Sequence, residues 1–114
     1  MKEYALVYRN TLTAGPQLTS EQAAAMMQRW MDWMKQLQGK GHLVSQGYRL
    51  EPFTGKVVRP DNVVTNGPYA EIKEAIGGFS VVKAASFDAA VEMAKGCPIL
   101  TNGGNVEVRE IGAM

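Results

Sequence analysis

The chain has 114 residues, 46% of them hydrophobic, which is enough to bury one core and points to a single domain over 1–114. Twelve Lys and Arg against eleven Asp and Glu leave a net charge of +1 scattered without runs, so neither nucleic acid nor an anionic membrane is an expected partner. The one cysteine, Cys97, excludes an internal disulfide and fits a reducing cytoplasm. The opening Met1-Lys2-Glu3-Tyr4 leads into an apolar run far short of the ~20 residues of a membrane span and shows no cleavage site, so a soluble cytoplasmic protein is expected.

Lys2 to Arg9 carries Tyr4, Ala5, Leu6, Val7 and Tyr8, apolar on both pleat faces, the pattern of a central strand covered on two sides. Thr19-Ser20-Glu21-Gln22 offers a hydroxyl cap with Gln22 three residues later, and a helix follows. Ala23, Met26, Met27, Trp30, Trp33, Met34 and Leu37 repeat on one face of that helix, which predicts docking on a sheet. Gly39 and Gly41 close it.

A second strand is predicted from Leu43 to about Leu50, broken by Glu51 to Gly55, with Lys56 to Val64 returning beside it as a hairpin. Pro60 places that added strand at an edge or interrupts it. After Gly77-Gly78, Phe79 to Ala84 reads as a strand. Ser86 caps a second helix bearing Phe87, Ala90, Val91 and Ala94, and Gly96 with Pro98 ends it. Asn105 to Ile111 alternates Val106 and Val108 with Glu107 and Arg109 as the last strand.

The order β-α-β-(β)-β-α-β predicts an α+β, ferredoxin-like fold: a mostly antiparallel sheet with two helices on one face. The other face is left bare and apolar, so a homodimer in which two sheets cover each other is expected.

The run Val64-Thr65-Asn66-Gly67-Pro68-Tyr69-Ala70-Glu71-Ile72-Lys73-Glu74, followed by Gly77-Gly78-Phe79, resembles the signature of the YCII-related family in its DGPF branch, D-G-P-F-A-E-x-K-E and then G-G-F. The likeness extends to Gly41-His42-Leu43-Val44, Ser86 to Ala94, Cys97-Pro98 and Val106-Glu107-Val108-Arg109, nearly the whole chain. It implies a dimeric α/β barrel and no defined reaction.

Three departures stand out. Asn66 replaces the motif's Asp, removing a carboxylate while keeping a turn-forming side chain. Trp30 and Cys97 occupy the places of a histidine and an aspartate proposed as an active pair in the YCII branch, so that mechanism is not available here. Glu110 replaces a common proline.

Asn66-Gly67-Pro68 is either a plain turn or a turn that holds Tyr69 and Glu71 at the mouth of a cleft, with Glu71 as ligand contact or general base. His42, the one histidine, excludes a His-based metal site and reads as a cap or surface residue. Cys97, after a helix C-terminus, reads as an inert apolar thiol. Glu107 and Arg109 face a partner, an intersubunit cavity or water.

The candidate ligand contacts are therefore Trp30, Tyr69, Glu71, Cys97 and Arg109, with no metal and no cofactor expected. The favoured function is a homodimer with an apolar cleft for a small organic molecule, or a regulatory role. The alternatives are an isomerase, lyase or hydrolase using Glu71 or Tyr69 as acid or base, and an interaction module linked to transcription regulation.

Overall fold

The structure, a computed structural model, describes residues 1–11, 18–51, 54–66 and 74–113. Among them are six strands and two α-helices: β1 (Lys2–Thr11), α1 (Ser20–Gly39), β2 (Leu43–Arg49), β3 (Lys56–Arg59), β4 (Val63–Asn66), β5 (Glu74–Ala84), α2 (Phe87–Ala94) and β6 (Asn105–Glu110). Four of the strands make an antiparallel sheet in the order β2-β5-β1-β6. Each helix thus crosses between two parallel strands with a third lying between them, which is the ferredoxin-like arrangement.

β1 is central, as its apolar composition requires. Tyr4, Leu6 and Tyr8 point to the helices and are buried with Val82 and Ala84 of β5, Trp33 and Leu37 of α1, and Ala90 and Ala94 of α2. Both helices therefore lie on one face. The other face carries Ala5 and Val7 of β1, paired across the sheet with Val81 and Phe79 of β5, and among the described residues neither helix lies on it.

Local signals set the helix ends. Thr19 Oγ1 accepts from the Gln22 backbone N–H at 3.1 Å while Gln22 Oε1 accepts from the Thr19 N–H at 2.9 Å, a reciprocal cap on two orphan donors. At the other end Gly41 takes φ +76°. Its N–H donates to Gln38 O and the His42 N–H to Leu37 O, so the last carbonyls are met by a left-handed turn. Ser86 caps α2 by accepting from the Ala89 N–H.

Two expectations need correction. Lys56 to Val64 does not return beside β2: β3 pairs only with β4, in a separate two-stranded hairpin turning at Pro60-Asp61-Asn62. Asp61 and Asn62 both adopt positive φ, which these side chains tolerate better than most, so the chain reverses at Pro60 instead of being merely interrupted there. The fifth strand also starts before the glycine pair. Gly77 enters the ladder as the extra residue of a bulge, Tyr8 pairing with Gly78 and Arg9 with Ile76.

Leu6 is fully buried at the centre of the sheet, and Leu6→Ala should cost about 2–5 kcal/mol. Val7→Ala, one residue along and turned to the open face, should cost far less, and urea midpoints of the two variants measure the contrast.

Candidate functional site

The N-terminal half of α1 does not dock as its pattern suggests. Trp33 and Leu37 are buried, but Trp30, Met26 and Met34 are only partly covered and Met27 is 63% exposed. Between this half-helix and the β2–β5 end of the sheet lies a cleft of about 530 Å³, within the range of small-molecule sites. Met26, Met27, Trp30 and Met34 form one wall, Gly77, Gly78 and Ser80 of β5 and Gln46 and Gly47 of β2 the other, with Tyr8 and Asn10 of β1 also lining it.

The strand wall is shaped by close backbone approach. Gly47 sits at φ +69°, and a Cβ there would fall 1.7 Å from Phe79 O. Any other residue would force β2 away from β5 and reshape the cleft. Ser80, fully buried, donates its hydroxyl to Gln46 O at 2.7 Å, tying the same two strands together.

Tyr8 stands where sheet and helix meet. Its ring packs edge-to-face on Trp30 at 4.8 Å and on Trp33 at 6.2 Å. Its hydroxyl is buried without a hydrogen-bond partner. Burial drives the phenol pKa well above its ordinary value. Ser80 is near enough to temper that shift, but its proton goes to Gln46 O and it does not meet Tyr8 Oη at bonding geometry. The phenol is therefore a protonated, unspent donor at neutral pH.

Among the described lining residues the only charged side chain is Arg49, well exposed and 3.4 Å from Glu51. No group of three or more His, Cys, Asp or Glu that could hold a metal occurs among the described residues. No described helix is long and apolar enough to cross a membrane.

A family model, that of the YCII-related domain, matches residues 1–114. The chain belongs to the YCII-related family. No curated protein matches it at a significant level.

In this YCII-related domain Trp30 and Cys97 both lie near Tyr8. Tyr8 touches Trp30 through its ring, and the Cys97 thiol adds, after burial, to the rise of the phenol pKa. Cys97 itself is 2% exposed and lies in the core behind the cleft. Burial pushes its thiol up to about 12, with the Ile99 backbone N–H offsetting part of the shift.

Arg109 is elsewhere, on the open face of the sheet, where Arg9 donates to Glu107 at 2.9 Å and Arg109 lies 3.6 Å from the same carboxylate. Arg9 first, then Arg109, holds Glu107 below the usual carboxylate range against its desolvation. Tyr69, Glu71 and the Asn66-Gly67-Pro68 turn beyond Asn66 fall outside the described residues. His42 lies at the α1–β2 junction, away from the cleft, with Nδ1 buried and unpaired.

Tyr8 and Ser80 were not singled out by the sequence. Tyr8 reads as one more inward residue of an alternating strand, and only the packed structure reveals that its hydroxyl goes unmet. The helical spacing of Met26, Met27 and Met34 gave no sign that these residues border a cleft.

With a thiol pKa near 12 and almost no exposure, Cys97 should react with iodoacetamide at pH 8 only through opening of the fold. Native protein should label slowly and urea-unfolded protein within minutes, as mass spectrometry measures.

Proposed function

We propose that this protein works as a homodimer whose subunits each bind a small, largely apolar organic molecule in the cleft between α1 and the sheet. The observation that carries the ligand reading is the Trp30 and methionine wall: a stretch of apolar helix residues only partly docked on the sheet, beside a cavity of ligand size. Burying Met26, Met27 and Trp30 would favour folding, and their exposure is what a site for an apolar guest requires.

The dimer reading rests on area and shape. The accessible surface is 8220 Å², against about 6,100 Å² for a compact monomer of 12.4 kDa. That excess of roughly 2,000 Å² surpasses the ~800 Å² per partner of a standard interface. The molecule measures 44 × 43 × 19 Å, a plate one helix layer and one sheet thick with its apolar strip of Ala5, Val7, Phe79 and Val81 partly exposed. Tyr48, 76% exposed, extends that strip beside Phe79, and the Arg9–Glu107–Arg109 cluster borders it with both signs of charge. The signature from Asn66 to Glu74 supports placement in the DGPF branch.

Sedimentation equilibrium at micromolar concentration should give twice the chain mass. Val81→Lys, set on the open face, should give a monomer with an unchanged far-UV spectrum, and a monomeric wild type would end the dimer reading. For the cleft, 2-ethylnaphthalene titrated against the protein should shift the Trp30 indole signal saturably in NMR spectra. Trp30→Ala should weaken binding tenfold or more, and absence of binding to the wild type would end the ligand reading.

A further inference from the structure

Besides polar lining residues such as Asn10, Gln46 and Asn102, the cleft is bordered by a buried donor that goes unmet. Of the two buried side-chain polar atoms left without a partner among the described residues, Tyr8 Oη and His42 Nδ1, only Tyr8 belongs to a cleft-lining residue. A buried donor that forfeits its hydrogen bond is costly to the fold, and a guest carrying an acceptor at that point removes the cost. The neighbouring Ser80 hydroxyl gives its proton to Gln46 O and does not meet Tyr8 Oη at bonding geometry.

From this geometry we infer that Tyr8 is the specificity-determining residue of the cleft, donating its phenolic proton in a hydrogen bond to a neutral, ring-bearing ligand that presents a carbonyl-type oxygen at its inner end. The inference rests on the cleft being a ligand site. The ring preference follows from the wall: Trp30 stands edge-to-face on Tyr8, and thioether sulfurs of Met26 and Met34 favour aromatic neighbours. Neutrality follows from the charge census, because Arg49 is exposed and already near Glu51, and a buried ionic group would find no counter-charge among the described lining residues.

The hydroxyl is shut off from water, so the ligand reaches it by wedging between Trp30 and the strands. The undocked half of α1 is the side that gives, since unbranched methionines repack at little cost. A site of this kind discriminates by what it leaves unpaired: a hydrocarbon of the same shape fills the volume but leaves Tyr8 Oη unmet.

The test is a two-by-two titration of wild type and Tyr8→Phe with 2-acetylnaphthalene and 2-ethylnaphthalene, followed by the tryptophan indole signals. Tyr8→Phe should weaken the ketone about tenfold and leave the hydrocarbon unchanged. Its melting temperature should equal or exceed that of wild type, because the hydroxyl it removes has no partner to lose. Equal loss for both probes, or no loss for either, overturns Tyr8 as the donor while leaving the cleft a binding site. Failure of both probes to bind the wild type removes the cleft reading and this inference together. A marked drop in melting temperature shows a hydroxyl already engaged within the fold and also overturns it.

Discussion

A strand that is apolar on both faces needs cover on both, and the helices among the described residues lie on only one. That constraint organises the molecule. β1 can sit at the centre of the sheet because Tyr4, Leu6 and Tyr8 meet Trp33, Leu37 and Ala90 on one side. Ala5 and Val7 on the other side remain only partly buried within the described residues. The same imbalance accounts for the thin plate, one helix layer and one sheet deep.

The cleft follows from a second imbalance, within α1. Within the twenty residues of α1, Trp33 and Leu37 are the buried ones, and both fall in its C-terminal half. The C-terminal half, anchored by Trp33 and Leu37 and closed by Gly41, spends its apolar face on the core. The N-terminal half, with a firm cap at Thr19, stays helical without needing the sheet and leaves Met26, Met27 and Trp30 over open space. Capping and packing are thus separable: the first keeps the wall of the site in shape where the second is withheld.

Much of this was legible in the residues because it is local. The reciprocal Thr19–Gln22 cap, the Gly41 closure, the Ser86 cap and the alternation of Val106 and Val108 with Glu107 and Arg109 each depend on neighbours a few positions away. The hairpin partner was not, since Pro60 interrupts a strand in either arrangement and only the positive φ of Asp61 and Asn62 decides that the chain turns back. Trp30 was legible as unusual through its place in the family pattern. Tyr8 was not, because an inward tyrosine with a satisfied hydroxyl and one without it have the same sequence.

The convergence of Trp30, Tyr8 and Cys97 carries a chemical consequence. Trp30 carries an indole, the Cys97 thiol stays protonated far above neutral pH, and the Tyr8 phenol near both also holds its proton. None of the three is charged at pH 7, in keeping with a buried, apolar surrounding. On the ligand reading proposed above, such surroundings would serve recognition, with Tyr8 orienting a guest and the methionines and tryptophan holding it by contact. A site so composed gains affinity from shape and from one directional bond, and its selectivity lies in where that bond is placed.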